Sequence, residues 1–119
     1  MSTIVINATH GPEDPERATM AFVVGNVAAT ADQDAIVLLT IDGAWLGVRG
    51  RADGVAREGL PVLADVMAQF VAAGGRIWAC GACTKPRGIT ADDLVDGATI
   101  VTAAQVVELL ASGAGSLTF

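Results

Sequence analysis

The sequence predicts an α/β fold, a three-layer sandwich in which a mostly parallel sheet of about five strands carries helices on both faces. Short aliphatic runs alternate along the chain with segments whose apolar residues recur at helical spacing. The 119 residues suffice for one core, so we expect a single domain over residues 1–119. Hydrophobic residues make up 52% of the chain and aromatic residues only 4%, as expected where alanine and valine fill buried parallel strands.

The first half of the chain predicts two strands around one long helix. Residues 3–8 are apolar enough for a strand that is buried on both faces. Asp14 followed by Pro15 is typical of a helix N-cap and first helical position, and this helix should run to about Ala31. Residues 34–41 are nearly all aliphatic and predict the second strand.

The second half repeats the alternation after an irregular stretch. Five glycines and scattered charges interrupt residues 42–59, where only a short helical turn is expected. Thr90–Asp93 and Thr102–Gln105 have the pattern of capping boxes, which open helices. The predicted elements are a helix over about 63–71 ended by Gly74 and Gly75, strands at 76–79 and 99–101, a short helix closed by Gly97, a last helix with Val106, Val107, Leu109 and Leu110 buried, and an edge strand at 117–119.

Two cysteines, Cys80 and Cys83, follow the third strand and are the only ones in the chain. Ligand and reaction sites of parallel sheets lie beyond the carboxyl ends of the strands, so the loops after the first three strands should converge there. The thiolate is the reactive form of cysteine, and a free thiol has a pKa of about 8.5, so nearby positive charge favours reactivity. Lys85 and Arg87 supply such charge. The alternative is that both cysteines are small buried hydrophobes.

Three segments, taken in order, resemble the DsrE/DsrF-like proteins. They are the opening over residues 11–17, the Ile-Asp-Gly turn at 41–43, and the Cys-x-x-Cys-x-x-x-Arg-Gly pattern at 80–88. The resemblance implies small α/β subunits with a DsrE-like, flavodoxin-like arrangement, assembled into trimers or hexamers. Characterised members, including TusD-like relay proteins, carry sulfur as a persulfide on one cysteine, which corresponds to Cys80. The second cysteine, Cys83, is similar to that of YchN-like members and departs from the simplest relay pattern.

The resemblance therefore implies an intracellular sulfur carrier that accepts sulfane sulfur on Cys80 and passes it to a partner protein. Two alternatives remain open from the residues alone. One is a thiol redox protein, a peroxidase or disulfide reductase, in which Cys83 resolves an oxidised Cys80. The other is a non-catalytic oligomeric binding module with inert thiols. No cofactor is expected in any of the three.

Three side chains are candidates to support the thiols. His10 follows the first strand and could serve as a base or proton donor, or could be a loop histidine that bonds to backbone. Arg87 could hold an anionic substrate or form a surface salt bridge, and Lys85 could favour the thiolate. Two thiols and one histidine are fewer than the four ligands of a structural zinc site, so no metal is expected.

Charge and composition exclude several partner classes. The net charge of −6 disfavours nucleic acid and anionic membrane surfaces, which both attract clustered basic residues. No apolar run reaches the roughly 20 residues of a membrane span, and residues 1–7 lack the pattern of a secretory signal. Two cysteines do not form an extracellular disulfide framework, so we expect a reducing cytoplasm. The high mean hydropathy of +0.53 favours a homo-oligomer that buries apolar surface between subunits.

Overall fold

The computed structural model describes residues 2–119 and shows a five-stranded sheet in which every pairing is parallel. The strand order is β4-β3-β2-β1-β5. The strands are β1 Thr3–Ala8, β2 Asp34–Leu39, β3 Arg76–Cys80, β4 Ala98–Val101 and β5 Gly115–Thr118; the α-helices are α1 Pro15–Thr30, α2 Leu63–Ala72, α3 Gly81–Thr84 and α4 Ala103–Ala111; and 3₁₀ helices span Ile41–Gly47, Lys85–Arg87 and Ala91–Asp93. The α/β sandwich predicted from the sequence is confirmed.

One face of the sheet, the α1–α2 face, is covered by two helices. Inward residues of β1, β2 and β3 pack there with the apolar stripes of α1 and α2 in the largest core cluster. Phe22 and Phe70 meet edge to face, with ring centroids 5.7 Å apart, and both are fully buried. Gly25 lets α1 lie close to both β2 and α2, because a Cβ there would lie 2.9 Å from a methyl of Val37 and 3.2 Å from the Phe70 ring.

The opposite face, the α4 face, is covered by one short helix. Val5, Leu38 and Val101 form its small core cluster, against which Val106 and Leu109 of α4 are only partly buried. None of the residues of α4 is buried, and Val107 and Leu110 are 64% and 40% exposed. The expectation that all four apolar residues of this helix form a buried face is therefore wrong for the single chain, because none of the helices within residues 2–119 packs closely beside α4.

Local signals in the sequence set the helix ends. Asp14 caps α1 by accepting a hydrogen bond from the Arg17 backbone N–H at 3.1 Å. This bond, with a second one from the Arg17 side chain, lowers the pKa of Asp14 below its ordinary value. The capping boxes at Thr90 and Thr102 are both present, but the first opens only a 3₁₀ helix over Ala91–Asp93, so the expected short helix closed by Gly97 is wrong. At the first of them, the backbone and side chain of Thr90 lower the pKa of Asp93.

The strand boundaries differ from the prediction at two points that matter for the site. β2 ends at Leu39 and not at Ile41, because Ile41 takes a left-handed conformation with φ of 55° and opens a 3₁₀ helix. β3 extends to Cys80, so this cysteine is the last residue of the strand. Within residues 2–119, none of the helices has the length and apolar character needed to cross a membrane.

Candidate thiol site

Both cysteines are free thiols at the carboxyl edge of the sheet, and both are partly exposed. Cys80 ends β3, where it lies in register with Val101 of β4. Its neighbour Ala79 is fully buried, because successive strand residues point to opposite faces of the sheet. The chain turns directly into α3, which carries Cys83. Cys83 also packs against a small apolar cluster of Ala44, Ala79, Ile89 and Leu94, so it is partly buried without being a fully enclosed core residue.

Cys83 is held by the end of the neighbouring strand. The backbone N–H of Ile41 donates a hydrogen bond to Cys83 Sγ, with 3.0 Å between the nitrogen and the sulfur. Ile41 is β-branched and left-handed, a conformation that costs about 1–3 kcal/mol and persists only where surrounding contacts impose it. The side chain of Ile41 is 54% exposed, so packing of that side chain does not explain the strain. The strained backbone instead directs an amide at the second thiol.

Arg87 ties the cysteine loop to the loop after β2. Its guanidinium donates to the carbonyl oxygen of Cys83 at 3.1 Å and to Asp42 Oδ1 at 3.0 Å. The Arg87 side chain is only 23% exposed, whereas the Asp42 side chain is 50% exposed, so the guanidinium is the sheltered half of the pair. The arginine therefore fixes the position of α3, and with it the position of Cys83.

The loop after β1 packs onto the same edge. A Cβ on Gly43 would clash with the backbone carbonyl of Ala8, and a Cβ on Gly11 would clash with that of Asp42. The Gly43 N–H also donates to the carbonyl oxygens of Thr9 and Thr40. The expected convergence of the three loops is thus confirmed, and glycine is required where their backbones meet.

The remaining sequence candidates lie near this edge without bonding to sulfur. His10 Nδ1 lies 3.0 Å from Glu13 Oε2 and 4.0 Å from Asp14 Oδ2, so its recorded partners are carboxylates of its own loop. Lys85 is exposed and begins the 3₁₀ helix after α3. Within residues 2–119 the structure therefore brings Arg87 into contact with Cys83, and it forms no hydrogen bond from His10 or Lys85 to either thiol.

Sequence reasoning did not identify two residues that the structure adds to the site. Ile41 supplies the amide to Cys83, and Asp42 fixes Arg87. The Ile-Asp-Gly turn was visible as a motif, but the partners of its amide and carboxylate are 42 and 45 residues away in the chain. Across residues 2–119, no cluster of three or more histidine, cysteine or acidic side chains has a geometry suited to a metal ion.

Comparison with known proteins identifies relatives along almost the whole chain. The chain is 30% identical over 93 residues to the uncharacterized protein MJ0760 of Methanocaldococcus jannaschii, covering 78% of this chain and 34% of that protein. It therefore spans about a third of the length of this relative. It is 26% identical over 102 residues to the uncharacterized protein MK0008 of Methanopyrus kandleri, covering 86% of this chain and 81% of that one.

Solved structures share the whole fold. The crystal structure of the YchN protein from E. coli superposes with a TM-score of 0.84 at 25% identity, covering 100% of both chains. MTH1491 from Methanobacterium thermoautotrophicum superposes with a TM-score of 0.74 at 17% identity over 100% of both chains, which shows the fold alone. Residues 2–119 match the family described as the DsrE/DsrF-like family. The chain therefore belongs to the DsrE/DsrF-like family.

Proposed function

We propose that this protein is a sulfur carrier that accepts sulfane sulfur on Cys80 as a persulfide and passes it to an acceptor protein. The observation that carries the proposal is the free, partly exposed thiol at the end of β3, next to a second thiol that a backbone amide holds in place. Membership in a family associated with sulfur relay supports it. A donor protein, an acceptor protein and a reducing cytoplasm, which keeps both thiols free, belong to the same proposal.

The transfer is a pair of thiol exchange reactions. The Cys80 thiolate attacks the outer sulfur of a donor persulfide, the sulfur–sulfur bond of the donor breaks, and the donor leaves as a thiolate. Cys80 then carries one additional sulfur atom. An acceptor thiolate attacks that terminal sulfur, and Cys80 leaves as a thiolate. No external oxidant or reductant is consumed, because sulfane sulfur keeps its oxidation state throughout.

Cys83 has a supporting role in this proposal. The Ile41 amide holds the Cys83 sulfur in place through its hydrogen bond. Attack of Cys83 on the inner sulfur of the Cys80 persulfide would release hydrosulfide and leave a Cys80–Cys83 disulfide, which a dithiol reductant reopens. Cys83 would then unload the carrier when no acceptor is bound.

Intact-mass measurement after incubation with inorganic polysulfide tests these roles. The reduced wild-type protein should gain one sulfur atom, Cys80→Ser should gain none, and Cys83→Ser should gain one and keep it longer. Each variant replaces one cysteine sulfur with oxygen, so each is the matched control of the other. A Cys80→Ser protein that still gains sulfur, together with a Cys83→Ser protein that does not, would reverse the assignment.

The pair of thiols also supports a second candidate, a peroxidase or disulfide reductase. In that reaction a peroxide oxidises Cys80 to a sulfenic acid, water or an alcohol leaves, and Cys83 condenses with it to a disulfide. Peroxide consumption in the presence of a dithiol reductant, at a rate well above that of a free thiol and without any polysulfide loading, would favour this reaction over the carrier.

A homo-oligomer, a trimer or hexamer, completes the proposal. The exposed apolar side chains of α4, Val107 and Leu110, extend a sheet face that one helix covers incompletely. Contiguous apolar surface of this kind is typical of subunit contacts. Burial of this face against further copies of the chain would account for the high hydropathy of a small domain.

A further inference from the structure

A cavity of about 420 Å³ opens on the α1–α2 side of the sheet, and neither cysteine lines it. Its walls come from α2, from Ile77 near the amino end of β3, and from the segments at residues 48–53 and 95–96. Cys80 lies at the opposite end of β3. This volume falls in the range of about 300–1,000 Å³ typical of small-molecule sites. The cavity is therefore separate from the thiol site and large enough for a ligand.

The cavity is open because α2 presents small side chains to it. Ala64, Ala68 and Ala72 recur every fourth residue and line it, beside the larger Met67 and Val71. The opposite wall is fixed by backbone hydrogen bonds: the Val95 N–H donates to Gly47 and the Arg49 N–H to Asp93, each at 2.8 Å. The space is thus built into the fold and needs no rearrangement to admit a ligand.

Two exposed carboxylates, Asp53 and Asp96, border this otherwise apolar space where it opens to solvent. Neither forms an ion pair within residues 2–119. The nearby arginines are engaged elsewhere. The Arg49 guanidinium donates to the carbonyl oxygens of Leu94 and Asp92, and that of Arg51 lies 4.2 Å from the centre of the Trp45 ring.

We propose that this cavity binds a small organic cation, a protonated amine on an apolar body. The ammonium group would contact Asp53 and Asp96, and the apolar body would cover Met67 and Val71. Two unneutralised carboxylates favour a cation over an anion, and the alanine- and valine-rich lining favours an organic body over a hydrated metal ion. Nothing in this site depends on the proposed sulfur chemistry.

Methionine methyl NMR tests the proposal directly. Met67 lines the cavity, whereas Met20 lies on α1 outside it, so the Met20 methyl is an internal control. The probes are 2-phenylethylamine, 2-phenylethanol and 3-phenylpropanoate, which share a body and differ in charge. At pH 7 the amine should shift the Met67 methyl saturably and leave Met20 in place. It should bind about threefold more tightly than the alcohol, as expected for ion pairs to solvent-exposed carboxylates.

Matched variants separate shape from charge. Ala68→Leu should fill the cavity and abolish the shift, while Ala56→Leu adds the same atoms at an exposed loop position outside the cavity and should leave binding unchanged. Asp53→Asn with Asp96→Asn should remove the preference for the amine. Glu58→Gln with Asp65→Asn makes the same change in net charge away from the cavity and should retain it.

Three results would overturn the proposal. They are an unshifted Met67 methyl at saturating amine, equal affinity for amine and alcohol, and undiminished binding by a folded Ala68→Leu protein. A circular dichroism melt checks the fold of each variant. If subunit contacts in the assembled protein close the cavity, the Met67 methyl will stay unshifted, and that outcome also counts against the proposal.

Discussion

The two faces of the sheet are built from the same strands but are closed to different degrees. On the α1–α2 face, two helices cover a core that includes Phe22, Leu63 and Phe70, all with no exposed surface, although a cavity opens beside α2. On the α4 face, the nine residues of α4 leave Val107 and Leu110 in solvent. Both faces are aliphatic, so hydrophobicity alone does not distinguish them. The difference teaches that the α1–α2 face stabilises the single chain, while the α4 face leaves apolar side chains that the proposed oligomer would bury.

The largest expected effect on stability is on the α1–α2 face. Leu63→Ala should lower the free energy of unfolding by about 2–5 kcal/mol, because it leaves a cavity in a fully buried site. Urea denaturation monitored by circular dichroism measures it. A loss below about 1 kcal/mol would mean that α2 is not anchored as the structure shows.

A second prediction tests whether subunits associate through the α4 face. Val107→Asp with Leu110→Asp places charges on exposed α4 positions, so the folded single chain should tolerate them while an assembly through this face should dissociate. Light scattering after size exclusion measures the mass. Val27→Asp is the control, because Val27 is 63% exposed on α1, on the other side of the sheet. An unchanged mass for the double variant would remove α4 from the interface.

Leu109→Ala is the counterpart of Leu63→Ala on the α4 face. Leu109 is only partly buried, so its loss should cost about 1 kcal/mol in dilute protein, less than the loss of Leu63. If α4 lies in a subunit interface, this cost should increase with protein concentration. Denaturation at two protein concentrations shows whether α4 lies in a subunit interface. Equal losses of unfolding free energy for Leu109→Ala and Leu63→Ala would contradict the difference between the two faces.

The smallest effect concerns the cap of α1 and its pH dependence. Asp14→Ala should cost about 1 kcal/mol near pH 7, whereas Asp14→Asn retains an equivalent cap. Because the folded pKa of Asp14 is lowered from 3.8, its charged form stabilises the fold above that value. This contribution is lost as pH falls through the folded pKa. Unfolding midpoints measured from pH 7 down to acid should therefore converge for wild type and Asp14→Ala, and a constant gap would contradict the charge effect.

Much of the thiol site followed from position in the chain. Cys80 and Cys83 lie where a strand end exposes them, and the glycines at 43 and 88 mark loops that meet at one edge. The bond from Ile41 to Cys83 did not follow, because an apolar residue after an aliphatic run looks like more strand. The role expected of His10 beside the thiols also did not appear as a hydrogen bond, because Glu13 in its own loop engages the ring.

The sequence by itself determined the order of the five strands and of α1, α2 and α4, the caps at Asp14, Thr90 and Thr102, and the edge of the sheet that carries both thiols. These features depend on interactions between residues that are close in the chain, so the local sequence pattern predicts them. Only the tertiary structure decided that α4 leaves its apolar side open, that Arg87 pairs with Asp42, and that α2 borders a cavity. Each of these arises where segments distant in the chain meet, and packing between them sets what is covered and what remains free.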